Sequence, residues 1–382
     1  MAFLLPTNLA VGRGIERAAL NYAAFRPSWV DVTIFHSDFD DASRLSLPEI
    51  ESRLHDAHLV RVRLLYGAVQ RLKAKNLGMV ALYGFLIPIT SWMARRTVNR
   101  KASASMAEFD VVYLFNNAYS PAVPRGPVVI GSTHSTPPAH ALAPTYRKFV
   151  SAGLLHVRVA GFHLLKDTPA WQFGRRFDFV LPIGIDTSRF RPSTEPKHGT
   201  PKFLFVGALD VSKGLATLLE AWKMLSRDGW HLTVVGKGPL EEEARRTPGV
   251  RVLTSVNDED LARTYRESDV LVFPTSGESY AAVVVEALCS GLYVLAGDAT
   301  RGDYDEFEGA RVLEYVVPQA QPLALAMARL GESIDSVRSI DRGVAERVAR
   351  RFDIRENSRR LFETLREIVS SMPSARRTLR VH

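Results

Sequence analysis

Between residues 200 and 330 the chain repeats one cadence: a short apolar run, a turn, then a stretch with apolar residues at helical spacing. Strands are expected over residues 203–206, 231–235, 250–253, 269–273 and 293–296. Between them the spacing predicts helices over 213–226, 239–246, 258–266 and 281–290. Leu215, Leu218, Leu219, Trp222 and Leu225 mark the inner face of the first helix, and Pro239 takes a permissible first position in the second. Strands alternating with helices in this way argue for α/β architecture with a parallel sheet, here one doubly wound domain.

The first half follows the same logic less regularly. Strands are expected over 2–5, 30–35, 111–115, 128–131 and 179–181, with helices over 13–25, around 47–56 and through much of 66–100. A length of 382 residues suits two domains. The stretch from Ser193 to Pro201 is polar, rich in turn formers and the best linker candidate. Ile354, Ser358, Leu361, Leu365 and Ile368 form a helical stripe that needs a surface to pack on, whereas residues 374–382 read as a frayed tail. There is no internal repeat, zinc-ligand pattern or nucleic-acid motif in the sequence.

Charge and cysteine usage narrow the partners. A net charge of +8 favours phosphate, anionic lipid or nucleic acid without choosing among them. The single cysteine, Cys289, excludes an internal disulfide and a cysteine-built metal site, and fits a reducing compartment. Residues 1–6 are too short and too poor in basic residues for a secretory signal, and read as a first strand. Residues 77–94 carry no charge and are flanked by Arg71, Lys73, Lys75, Arg95, Arg96, Arg100 and Lys101. Such a segment packs inside the first domain or lies in a headgroup layer, and full spanning, for which it is at the lower length limit, is the third reading.

Five segments are candidates for chemistry. In the first, Glu278 and Glu286 are separated by seven residues. Glu278 falls in the loop after the expected strand 269–273 and Glu286 inside the next helix, at the edge where open α/β sheets bind ligands. A carboxylate accepts from two neighbouring hydroxyls at once, so a ribose diol suits Glu286 and a sugar diol suits Glu278. The helix start offers free amides to a diphosphate. The competing reading is a solvated loop glutamate and a surface-paired helix glutamate, but Glu286 lies in the otherwise apolar run 281–289, which favours a buried or ligand-facing carboxylate. The second segment runs from Gly207 to Gly214, where Lys213 would open a helix and reach phosphate oxygens; a solvated lysine is the bland alternative. In the third, Gly12 and Gly14 form a flexible loop that lets backbone approach a pyrophosphate. The fourth, residues 180–192, is a strand end, a glycine turn and a capping Asp186. The fifth holds His134, beyond an apolar strand and before Pro137 and Pro138, either a structural or a ligand-edge histidine.

Together these segments resemble the retaining glycosyltransferase family 4, the glycosyl transferases group 1, across nearly the whole chain and in family order. The resemblance implies a GT-B fold: an α/β protein with two Rossmann-like domains facing across a cleft and a C-terminal helix crossing back to the first. The bounds it implies are an acceptor-binding domain over 1–182, a nucleotide-sugar domain over 183–350, the returning helix over 351–372 and a tail over 373–382. It also implies transfer of a hexose from a UDP- or GDP-sugar, with retention, to a hydroxyl of a glycan or lipid-linked acceptor. Neither a metal nor a cofactor is expected. Carried over residue by residue, Glu286 holds the ribose hydroxyls and Glu278 the donor-sugar hydroxyls. The amides of Ser279 and Tyr280 touch sugar or diphosphate, Lys213 neutralises the departing diphosphate, Gly207 opens the phosphate turn, Gly12 and Gly14 lie under the diphosphate, and His134 approaches the sugar. The sequence departs from the family pattern at Ala208, where a second basic residue is usual, and at Ser279 and Tyr280, where glycine and an aromatic are common. Arg13 or Lys237 are the residues placed to replace the missing cation. Two other readings stay open, a non-catalytic GT-B subunit partnering another transferase and a sugar-nucleotide epimerase. A cytoplasmic location is expected, with docking at an anionic inner membrane face and no nucleic-acid partner.

Overall fold

The computed structural model describes residues 1–5, 14–37, 50, 54, 57–62, 106, 108–115, 127–133, 159–162, 178–225, 229–276, 281–301, 304, 307, 312–339 and 342–372. The chain divides into two compact units, Met1–Gly184 with Ile354–His382, and Ile185–Asp353.

The first unit is built on a seven-stranded parallel sheet. Its strands are β1 (Ala2–Leu4), β2 (Thr33–Ser37), β3 (His58–Val62), β4 (Val111–Phe115), β5 (Val128–Thr133), β6 (Val159–Phe162) and β7 (Phe179–Val180), in the order β3-β2-β1-β4-β5-β6-β7. β4 is buried along its full length, as a central strand covered on both faces must be. Helix α1 (Gly14–Ala24) follows β1 and buries Ala18, Ala19, Leu20, Tyr22 and Ala23. β3 and β6 were not expected. β3 lies at the sheet edge, with His58 and Val60 exposed and no clean alternation, and β6 is short and interrupted by Gly161, which weakens a strand pattern.

The second unit follows the predicted cadence as far as residue 297; the strand Leu313–Val316 and the helices after it were not individually expected. Its strands are β8 (Lys202–Val206), β9 (His231–Val235), β10 (Val250–Leu253), β11 (Val270–Phe273), β12 (Tyr293–Gly297) and β13 (Leu313–Val316). They pair in parallel in the order β10-β9-β8-β11-β12-β13. The helices that carry the chain between and beyond them are α2 (Leu215–Lys223), α3 (Glu241–Arg246), α4 (Asp258–Glu267), α5 (Ala282–Cys289), α6 (Ala320–Glu332), α7 (Ile334–Arg338) and α8 (Arg342–Phe352). α2 seals one sheet face with Leu215, Leu218, Leu219, Ala221 and Trp222, the Trp222 ring lying edge-on to Phe203 at 6.0 Å. Burying a leucine of this kind contributes about 1.5–3 kcal/mol. On α6, Gly331 lies against Trp230, whose ring would stand 2.0 Å from any added Cβ.

The chain passes between units at two adjacent points. Ile185 donates its amide to Phe352 at 2.8 Å and bridges to Asp353, and a Cβ on Gly184 would stand 2.5 Å from the Ile354 Cα. The last helix, α9 (Ile354–Ser371), belongs to the first unit. It buries Ile354, Leu361, Phe362 and Leu365, and the Phe362 ring stacks on Phe3 of β1 at 6.2 Å. The expected stripe is therefore present, with Phe362 added and Ile368 only half-buried. Among the described residues no helix is long and apolar enough to cross a membrane; residues 66–100 lie outside them.

Candidate active site

In the second unit β8 and β11 are neighbours, but the chain leaves them toward opposite sides of the sheet order. The crevice beyond the carboxyl ends of two such strands is where a doubly wound sheet accepts ligands. Both segments that the sequence singled out in this half start there.

The first is the turn after β8. Gly207 ends the strand, and its amide donates to Val235 at 3.0 Å. The following loop is locked against the loop after β9: Leu209 donates to the Lys237 carbonyl at 3.0 Å and accepts from Leu240 at 2.9 Å. Gly236 and Gly238 make this approach possible, since a Cβ on either would stand 1.8 Å from the Gly207 carbonyl oxygen or 2.4 Å from that of Leu209. Ala208 and Lys237 are thus placed on two interlocked loops. Lys213 does not open the helix as expected. It ends a short 3-10 turn, Val211–Lys213, capped by the Asp210 carboxylate, which accepts from the Lys213 amide at 3.1 Å. Gly214 then takes φ 78°, a left-handed conformation that breaks the helical run, so α2 begins at Leu215.

The second segment follows β11 and leads into α5. Its first residues are tied to the lysine turn: the Thr275 hydroxyl donates to the Ser212 carbonyl at 3.1 Å, and a Cβ on Gly214 would stand 2.1 Å from the Pro274 carbonyl oxygen. The turn bearing Lys213 and the start of the glutamate loop are therefore in direct contact. Glu278, Ser279 and Tyr280 lie outside the described residues, as do Gly12 and His134. Gly14 is described and heads α1, and β5 ends at Thr133, one residue before His134.

Glu286 is on α5 and 2% exposed. Its Oε2 accepts from the Tyr265 hydroxyl at 2.9 Å, and the Tyr265 ring is held edge-on by Phe190 at 5.5 Å. The segment around Phe190, for which sequence gave no chemical role, is thus a support for the Glu286 partner. Cys289, one turn on, is buried beside the charges of Glu286 and Asp353, and burial foremost pushes its thiol well above the ordinary range. This cysteine is an inert core residue. A carboxylate offers about four lone-pair sites, and the Tyr265 hydroxyl occupies one of them on Glu286.

Sequence reasoning missed Tyr265, Thr275, Tyr304 and Tyr315. Each acts through a partner distant in the chain, and of the four only Thr275 stands in a segment that the sequence singled out.

A cavity of about 80 Å³ lies at the other end of the strands, lined by Lys197, Asp269, Ser290, Val312 and Arg338 among others. Here Arg338 grips Asp269 with two bonds of 2.9 Å, the Lys202 amide adds a third at 3.0 Å, and the Lys197 ammonium donates to the Ser268 carbonyl. This edge joins the start of β8 to the start of β11 and is remote from the crevice by the length of the strands.

Comparison with known proteins places these features. The family described as Glycosyl transferases group 1 matches residues 200–332. A phosphatidyl-myo-inositol mannosyltransferase of Mycobacterium tuberculosis is 31% identical over 245 residues, covering 57% of this chain and 63% of that protein. The D-rhamnosyltransferase WbpZ of Pseudomonas aeruginosa is 30% identical over 165 residues, 39% of this chain and 42% of that one. The chain thus spans less than two thirds of the length of these curated relatives. Among solved structures, sucrose-phosphate synthase from Thermosynechococcus elongatus matches with TM-score 0.71 at 17% identity, covering 97% of this chain and all of that one. Anabaena HepE in complex with UDP and glucose matches with TM-score 0.72 at 16% identity, covering 97% and 99%. These likenesses show the fold, two parallel α/β units of the GT-B type. The interlocked glycine turns, the lysine turn and the helix of Glu286 all lie inside residues 200–332, the segment that matches the glycosyl transferases group 1 family.

Proposed function

We propose that the protein is a retaining glycosyltransferase that moves a hexose from a UDP- or GDP-sugar to a hydroxyl of a glycan or lipid-linked acceptor, without a metal. The observation that carries the reading is the joint between the Lys213 turn and the start of the glutamate loop at the switch point of the second sheet, fixed by Thr275 on Ser212. Breaking the glycosidic bond develops positive charge on the sugar and negative charge on the leaving diphosphate. Lys213 and the amides at the start of α5 oppose the latter charge. Lys237, on the loop interlocked with Ala208, supplies the second cation that the family pattern places after Gly207. Glu286, oriented by Tyr265, holds the ribose diol, and Glu278 holds the sugar hydroxyls. The acceptor hydroxyl attacks from the leaving-group side, and its proton passes to the diphosphate oxygen as the bond to the sugar breaks. The family resemblance adds His134, Gly12 and Gly14 to the residues assigned to the donor in this reading.

Support for the donor class comes from HepE, whose structure holds UDP and glucose, and support for a lipid-borne acceptor from the name of the phosphatidyl-myo-inositol mannosyltransferase. A cytoplasmic protein docking on an anionic membrane through residues 77–94 is consistent with that acceptor; failure to sediment with anionic vesicles at low salt would remove the docking. The central test is Glu286→Ala with a panel of UDP- and GDP-sugars. We expect transfer to fall at least a hundredfold with the preferred donor. Undiminished transfer with every active donor would overturn the site assignment.

One observation favours a second reading. Ala208 stands where a cation is usual, as a non-catalytic GT-B subunit would tolerate. Calorimetry separates the two: heat of binding with a nucleotide sugar supports the enzyme, and its absence with every donor supports the subunit.

A further inference from the structure

The start of α5 carries no cap of its own. Ala281, the residue before the helix, has no side chain able to accept from the first amides, and no side-chain cap is made. The helix is instead held from another element. Tyr304, 0% exposed, places its hydroxyl against the Ala281 peptide twice over. It accepts from the Ala281 amide at 3.1 Å and donates to the Ala281 carbonyl at 3.1 Å. A phenol has one proton to give and lone pairs to receive, so the two bonds are compatible. The same carbonyl accepts from the Val284 amide at 2.9 Å, which closes the first turn.

Tyr304 is itself braced. Its amide donates to the Tyr315 hydroxyl at 3.3 Å, and the Arg301 guanidinium lies 4.5 Å above the Tyr315 ring. A phenylalanine would fill the same core volume, so what the hydroxyl adds is direction rather than packing. It also removes the Ala281 amide from the set available to a ligand. The next two amides, of Ala282 and Val283, have no partner within a helix by the geometry of helix starts, and both residues are half-buried rather than sealed.

We propose that Tyr304 is a positioning residue of the donor site, fixing the Ala281 peptide so that the Ala282 and Val283 amides meet the outer phosphate of a nucleoside diphosphate. The inference rests on the donor-site reading above. It assigns a role to a residue outside every motif and makes the diphosphate contact depend on a bond from beyond β12.

The test is the preference for diphosphate over monophosphate, measured by calorimetry on the full-length protein with UDP against UMP and GDP against GMP, well below the melting temperature. Tyr304→Phe is expected to lower that preference about tenfold while leaving monophosphate affinity unchanged. A general loosening of the fold would weaken both nucleotides together and overturns the proposal, as does an unchanged preference. Should Tyr304→Phe not fold, Tyr315→Phe, which removes the acceptor of the Tyr304 amide and keeps the Tyr304 hydroxyl, carries the same test with a smaller expected shift. A wild-type protein that prefers the diphosphate, beside a variant that does so equally, overturns this inference alone. A wild-type protein that binds no nucleoside diphosphate overturns the donor-site reading and this inference with it.

Discussion

Lys197 is a half-buried ammonium with one carbonyl acceptor, that of Ser268. Burial lowers its pKa from the ordinary lysine value to about 8, Arg338 and Lys202 push the same way, and Asp269 only partly opposes them. Below pH 8 the amine is charged in both folded and unfolded chains, and the full cost of burying the charge is present. Between pH 8 and the unfolded value the folded chain releases its proton first, so stability rises with pH in that window. Lys197→Met removes the group. We expect the variant to be more stable than wild type at pH 7 by roughly 1–2 kcal/mol, with the difference shrinking as pH climbs past 8. Denaturant melts of both proteins across that range check this; a difference that stays constant with pH refutes it. Residues of this kind were not legible in the sequence, because nothing near Lys197 reveals Ser268 or Arg338. Glu286 was legible in part: its apolar run foretold a buried or ligand-facing carboxylate, and it is buried. Its partner Tyr265 was not, since the two are 21 positions apart, and Tyr304 is 23 from the peptide it holds.

At the scale of elements, the Gly207–Gly214 turn shows where pattern reading stops. Hydrophobic spacing located α2, but placed its start two residues early, because a left-handed residue leaves no mark on spacing. Gly214 combines φ 78° with a Pro274 carbonyl that would stand 2.1 Å from a Cβ. Gly199 has φ 83° and nothing within 4 Å. Alanine at the two positions therefore separates conformation from collision. We expect Gly199→Ala to cost about 1 kcal/mol and Gly214→Ala more than about 3 kcal/mol, with loss of donor binding because the Lys213 turn and the Pro274 segment are forced apart. Equal melting temperatures for the two variants would refute the steric part of this account. The edge strand β3 and the glycine-containing β6 were missed for the opposite reason: their patterns are weak, and pairing with β2 and β5 defines them.

Across the whole molecule, the cadence of apolar runs foretold parallel α/β architecture, while the surface that receives the last helix came from family resemblance alone. Ile354, Leu361, Phe362 and Leu365 of α9 close the core of the first unit, with Phe362 on Phe3. Four buried side chains at about 1.5–3 kcal/mol each rival the stability of an ordinary domain. Removing residues 354–371 is therefore expected to abolish hydrogen-exchange protection in β1 and β4 while β8 and β11 keep theirs. Uniform loss in both sheets, or protection retained in β1, would contradict the division of the chain into these units. The same interleaving has a consequence for biosynthesis. A ribosome releases residues 185–353 before it releases the segment that completes the earlier sheet, so the later unit can finish folding first. Until then the nascent polypeptide leaves open the face of Phe3 on which Phe362 stacks, and the interval is a window in which a chaperone, or a wrong neighbour, can occupy that place.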